Sequence, residues 1–194
     1  MGKRHVDPKM KILIAAKKMF AKNGFEGTTV YQICKEAGVN VANVSYYFGG
    51  KENLFFALFD VFYPKDDMLR PEEQWQDPLE ELCLIIEKVI RFKWEEPELA
   101  AIVQQEMTLQ SPRLEGILQY TKPVWDQVRR ILELGEQKGK FRFGSLDYTL
   151  LMVMGVVLFP KAYPSHQLLV TTESKSVEEV IECTLAFIME GLKA

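Results

Sequence analysis

The sequence predicts an all-α protein: an N-terminal three-helix helix-turn-helix domain, a connecting helix and a C-terminal helical bundle, about nine helices in all. Three observations predict this. Apolar residues recur at helical spacing along most of the 194 residues, with no alternating apolar/polar run long enough for a strand. Prolines, glycines and capping side chains stand where helices would start and stop. Near the N-terminus a short helix, a tight glycine turn and a second short helix follow one another, the core of a helix-turn-helix. The expected division is residues 1–50 for the helix-turn-helix domain and 51–194 for the connecting helix and the bundle.

The elements follow in order. Asp7 caps a first helix with Pro8 at its first position. Ile12, Ala16, Met19 and Phe20 form its apolar face, and Asn23-Gly24 ends it. Thr29 with Gln32 fits a capping box for a second helix, which Gly38 breaks. Asn40 caps a third, over about residues 41–47, and Gly49-Gly50 stops it. Residues 51–62 read as an apolar connecting helix ended by Pro64. Residues 64–77 are polar and Pro-rich, the clearest linker. Asp77-Pro78 opens a helix to about Trp94, Pro97 another through Gln110, and Ser111-Pro112 the next. Pro123 predicts a kink or break in that helix, which then resumes to about Lys138 before Gly139. Ser145 caps residues 146–159, with Pro160 as the stop. Ser176 with Glu179 is a second capping box, and the last helix ends near Leu192.

Composition narrows the function classes. The chain is 47% hydrophobic and 26% charged, with net charge −3, which excludes whole-chain disorder. The longest apolar run, residues 150–159, is about half of what a helix needs to cross lipid. Residues 1–10 are polar, with no apolar leader segment after them, so the expectation is a cytoplasmic protein without a membrane partner. Cys34, Cys83 and Cys183 are odd in number and scattered through apolar helical patterns, and read as small buried hydrophobes. His5 and His166 are the only histidines. No zinc-type spacing, phosphate loop or nucleophile elbow appears, so no catalytic residue, metal or cofactor is expected.

The charge is unevenly placed. Residues 1–63 hold nine Lys/Arg against five Asp/Glu, and the rest of the chain fifteen against twenty-two. A basic head on an acidic body suggests that the head meets a polyanion. In the helix-turn-helix geometry the first helix points its N-terminal N–H groups at a phosphate, and Gly38 sets the second into the major groove. If Val44 and Phe48 face the core, then Asn40, Val41, Ala42, Asn43, Ser45 and Tyr47 face outward. Asn43 can pair with an adenine edge, and Val41 or Ala42 can touch a thymine methyl. Lys3 and Arg4 read as a solvated tail or as a groove-reaching arm.

Gly24-Phe25-Glu26-Gly27-Thr28-Thr29, then Ile33, Glu36-Ala37-Gly38-Val39, Tyr46-Tyr47-Phe48 and Lys51-Glu52-Asn53-Leu54 occur in order without gaps. This stretch resembles the N-terminal signature of TetR/AcrR-family transcriptional regulators. Within that family, residues 39–42, 45–48 and 157–161 are similar to the hemolysin II regulator type. The resemblance implies an N-cap and phosphate contact at Thr28 and Thr29, and base reading by Val41, Ala42 and Asn43. It implies a phosphate hydrogen bond from Tyr47 and a backbone contact from Lys51. Ser45 departs from the pattern, since the family very often has Tyr there, and Gly49-Gly50 loosens the turn before Lys51.

In the C-terminal half, residues 146–159 are apolar nearly all round and the last helix has a broad apolar face. Met152, Gly155, Val156, Phe159, Ile181, Leu185 and Ile188 are the expected dimer contacts, pairing two helices with their copies in a four-helix interface; the resemblance implies the same arrangement. A fully intramolecular core is the alternative. Trp94, Met107, Tyr120 and Trp125 stand on helices that enclose the ligand cavity in such proteins and are equally good core residues. Glu106 reads either as a polar anchor for a ligand or as a partly exposed salt-bridging residue. The expectation is a homodimeric regulator, a repressor of a pseudo-palindromic double-stranded operator, released by a small apolar or amphipathic effector. The alternatives are a DNA-binding architectural or division-linked factor without an effector, and a helical small-molecule-binding module that no longer reads DNA.

Overall fold

The computed structural model describes residues 7–159 and 175–193, and these form ten α-helices. They are α1 (Pro8–Asn23), α2 (Val30–Ala37), α3 (Ala42–Phe48), α4 (Lys51–Phe62) and α5 (Lys65–Met68), followed by a 3-10 turn at Glu72–Gln74. After it come α6 (Pro78–Glu95), α7 (Pro97–Leu109), α8 (Leu114–Gln137), α9 (Leu146–Leu158) and α10 (Val177–Leu192). No strand occurs among the described residues, only an isolated antiparallel bridge between Phe141 and Lys193. Lys3, Arg4, His5, Pro160, Lys161 and His166 lie outside the described residues, and so do the features assigned to them above.

Packing divides the chain into two compact units. One holds the described residues up to Tyr63 together with Glu96–Leu118; the other holds Pro64–Glu95 and the described residues from Gln119 onward. This partition differs from the division expected at residue 50, because α4 and α7 both pack on α1. The core of the first unit is Ile12, Leu13, Ala16, Phe20, Ile33, Val44, Leu54, Phe55, Leu58, Phe59, Leu99 and Ile102. Phe20, Phe25 and Phe55 meet there with ring centroids 5.3 to 5.4 Å apart. Each such buried side chain contributes about 1.5–3 kcal/mol. That lets α3, far too short to hold its shape in isolation, stay helical. In the second unit α6, α9 and α10 pack on one another through Leu82, Ile86, Val153, Val157, Ile181 and Ile188.

Two expectations about elements are corrected. Pro123 lies inside α8 without ending it, which overturns the break and leaves the helix continuous from Leu114 to Gln137. Ile117, Val124, Val128, Ile131 and Leu132 are buried along that helix, and their combined burial outweighs the roughly 3 kcal/mol of one interior proline. Residues 64–77 are more than a linker. Met68 is buried, and Arg70 donates to the buried Glu81 carboxylate at 2.7 Å. The Arg70 N–H donates to Gln127 Oε1, and the Trp75 indole N–H donates to the Arg70 carbonyl. Two glycines of α8 meet aromatic rings so closely that a methyl could not fit: Gly116 against Phe56 and Gly135 against Phe141. Among the described residues no helix is long and apolar enough to cross a membrane.

Candidate nucleic-acid interface

The helix-turn-helix is built by local signals. At the start of α2 the Thr29 hydroxyl oxygen accepts from the Gln32 N–H at 3.2 Å, and Gln32 Oε1 accepts from the Thr29 N–H at 2.8 Å. Gly38 then takes the left-handed conformation, φ 65°, and the Val39 N–H donates to the Cys34 carbonyl. A Cβ at that φ would be strained, so glycine is the residue that makes the turn. Asn40 Oδ1 accepts from the Ala42 N–H at 2.8 Å and starts α3.

Val44 and Phe48 are buried and fix the inward side of α3. Asn40, Val41, Ala42 and Ser45 are exposed, and Asn43 and Tyr47 half-buried. Tyr46 is 81% exposed, the ring edge-on to Tyr47 at 4.9 Å. Tyr46 is absent from the outward-facing set expected above, although the contact that Ser45 is too short to make can move to Tyr46 or Tyr47. The signal was there: midway between Val44 and Phe48 on a helix, it points opposite to both. Tyr31 on α2 is also exposed.

Two expected phosphate contacts are corrected. Thr28 is fully buried, its hydroxyl against the Gly24 carbonyl at 2.8 Å and the Met19 carbonyl at 3.2 Å. It ties the turn to α1 and does not face solvent. The Lys51 ammonium donates to the carbonyls of Phe25 and Thr28, both at 3.0 Å, and lies 4.0 Å from the Phe25 ring centroid. Two of its three N–H donors are held by the fold. The basic surface is trimmed further: Lys17 pairs with Glu96, and Lys18 with Glu36 at 2.5 Å. The Lys18 hydrogen bond holds the Glu36 carboxyl below the usual carboxylate range. Lys9, Lys22 and Lys35 remain exposed.

In the second unit, Tyr148, Leu151 and Met152 are exposed on α9, Phe159 just after its end, and Cys183 and Phe187 on α10; Met152 is 68% exposed. Gly155 has open space before it, and Val156 and Leu185 are half-buried. Ile181 and Ile188, expected at a dimer interface, are buried within their own chain. The face of α10 was misjudged because its apolar residues run round more than one side. The expectation of buried cysteines holds for Cys34 alone: Cys83 is half-buried and Cys183 exposed. A cavity of about 560 Å³ lies between α9 and α10, lined by Tyr148, Met152, Val153, Val156, Phe187 and Ile188 among others.

A second cavity, of about 580 Å³, is lined by Lys65, Arg70, Trp75, Pro123 and Arg130 among others. Neither cavity takes in Trp94, Met107, Tyr120 or Trp125. Met107 is exposed and belongs to the first unit, while the other three are half-buried in the second. Glu106 is buried and hydrogen-bonded to Ser111 and to Arg113, so it is neither partly exposed nor free to orient a ligand. Among the described residues no group of His, Cys, Asp and Glu could hold a metal ion.

Residues 12–58 match the family of bacterial regulatory proteins named for TetR. The crystal structure of HlyIIR, a hemolysin II transcriptional regulator, is 32% identical, covers 96% of this chain and 97% of its own, and superposes with a TM-score of 0.77. The probable helix-turn-helix transcriptional regulator YttP of Bacillus subtilis is 28% identical over 166 residues, 83% of this chain and 80% of its own. The helix-turn-helix transcriptional repressor NicS of Pseudomonas putida is 28% identical over 76% of this chain and 73% of its own.

Proposed function

This chain belongs to the TetR family of bacterial regulatory proteins, a transcriptional regulator and not an enzyme, and from that premise we propose that it is a homodimeric repressor acting in the cytoplasm. It binds a pseudo-palindromic operator and is released by a small apolar or amphipathic effector. The observation that carries the reading is the outward face of α3: small and polar side chains stand outside while Val44 and Phe48 anchor the helix beneath.

On this reading α3 enters the major groove. Asn43 pairs with adenine, Val41 and Ala42 meet thymine methyl groups, and Ser45 and Tyr47 contact the edge of the groove or a phosphate. Asn40 and Thr29 set the two helix starts, and the free N–H groups at the start of α2 face a phosphate. The absence of arginine from α3 disfavours bidentate reading of guanine from this helix. The exposed apolar face of α9 with Phe187 of α10 supports dimerisation, since burying such a face against its copy removes it from water. A dimer places two short reading helices on two half-sites. An effector acts by favouring a state in which those helices are wrongly spaced.

Selection of bound duplexes from a random pool tests the reading. The expected result is a two-fold-related pair of half-sites with binding that weakens steeply as salt rises. A pool that yields no preferred duplex overturns it.

A further inference from the structure

The turn between α1 and α2 is gripped by two cations that come from far along the chain. Lys51 of α4 holds the carbonyls of Phe25 and Thr28 and lies over the Phe25 ring. Arg113, immediately before α8, has its guanidinium carbon 3.8 Å from the centroid of the same ring. Arg113 Nε donates to Glu106 Oε2 at 3.0 Å, and its terminal NH1 donates to Glu26 Oε1 at 3.1 Å. The Ser111 hydroxyl completes the cluster: it bonds the Glu106 carboxylate and accepts from the Arg113 N–H at 3.2 Å. Arg113 and Glu106 are almost wholly buried, whereas Glu26 is 81% exposed.

This arrangement is more than core packing requires. A buried arginine with a buried carboxylate is costly to assemble, and an apolar pair of similar size would stabilise a core at least as well. What the guanidinium adds is direction. Its planar fork spends one N–H on Glu106, which fixes the side chain, and another on Glu26, which lies in the turn itself. Its face meets Phe25, the residue before Glu26. Three residues further on is Thr29, the cap of α2.

We propose that Arg113, held by Glu106 and Ser111, is a positioning residue for DNA reading: it locks the Phe25–Glu26 turn and thereby sets where the start of α2 meets the DNA backbone. The inference rests on the DNA-reading function above, and names residues that touch no DNA themselves.

The test uses the full chain and three variants. Arg113→Met with Glu106→Gln removes the guanidinium without leaving a buried carboxylate unpaired. Arg113→Lys keeps the charge and loses the fork. Glu26→Gln sits on the surface, where it leaves the core intact. Affinity for the selected operator is measured over a series of salt concentrations, well below each variant's melting temperature, with amide hydrogen exchange followed at residues 24–30. The expected result is an affinity lower by about tenfold in the double variant. Smaller losses are expected for Glu26→Gln and Arg113→Lys, with the salt slope unchanged throughout and faster exchange in the turn. A lowered melting temperature with unchanged affinity overturns the proposal in favour of packing alone. A salt slope reduced by about one overturns it in favour of a direct phosphate contact. If the unaltered protein binds no duplex, the functional reading falls instead; exchange then decides, with an unchanged turn in the double variant overturning the clamp.

Discussion

Helices α3 and α9 both leave a face to water, and the two faces differ in chemistry. On α3 the outward residues are Val41, Ala42, Ser45 and Tyr46, mostly small or hydroxyl-bearing. On α9 they are Tyr148, Leu151 and Met152, with Phe159 just beyond its end. The first face loses little by staying wet and is ready for a hydrated, hydrogen-bonding partner. The second gains by being covered, at about 25 cal/mol per Å² of apolar surface removed from water. Length adds to the contrast. The seven residues of α3 depend on Val44 and Phe48 for their helix, while the thirteen of α9 keep three buried residues, Leu150, Val153 and Val157, on the inner side. One helix is supported so that it can protrude; the other is supported and still exposes apolar surface that a partner would cover.

The sharpest way to break this contrast is Leu151→Glu. A carboxylate on the exposed face of α9 should leave the fold intact and abolish the dimer, and operator affinity should fall by about 100-fold or more as the second half-site is lost. Sedimentation and a binding titration check it together, and a dimer that survives unchanged would move the interface elsewhere. Next in size is Asn43→Ala on the other face. It should cost about 1–3 kcal/mol of operator binding and relax the preference at one base pair, with the dimer untouched. Thr29→Ala removes the reciprocal cap of α2 and should lower thermal stability by about 1 kcal/mol, visible in a melting curve.

The smallest effect separates two helix starts, those of α10 and α3, by pH. The N–H of Ser176 hydrogen-bonds to Glu179 and holds its carboxyl below the usual range. A lowered value in the folded state means that this contribution is complete above the unfolded value, near 4.3, and is lost as pH falls through the folded one. The start of α10 should therefore loosen in acid. The start of α3, capped by the amide of Asn40, has no such step. Amide exchange between about pH 6 and pH 3 compares the two helix starts, and Glu179→Gln should flatten the response of α10.

What was legible in the sequence was local. The capping boxes at Thr29 and Ser176, the Asp7 cap and the Gly38 turn all involve partners two to five residues apart, and the structure has each of them. The buried pair Val44 and Phe48 was legible for the same reason. What was not legible depended on partners far along the chain. Pro123 reads as a break until the buried stripe around it is known. Lys51 and Thr28 read as surface contacts because nothing nearby shows that the carbonyls of the turn will claim them. The pairing of Arg113 with Glu26 spans 87 residues and leaves no periodic trace. Ile181 and Ile188 show a third difficulty. A helix apolar on several sides does not say which side meets its own core.

The two glycine notches in α8 have a consequence for anyone who would redesign the protein. Alanine in place of a mid-helix glycine is a routine route to a sturdier helix, worth up to about 1 kcal/mol each. At Gly116 and Gly135 the added methyl would run into Phe56 and Phe141, so the routine improvement becomes a wedge. Ring and notch can drift only as a matched pair: a smaller side chain at position 56 or 141 has to come with, or before, any growth at its glycine.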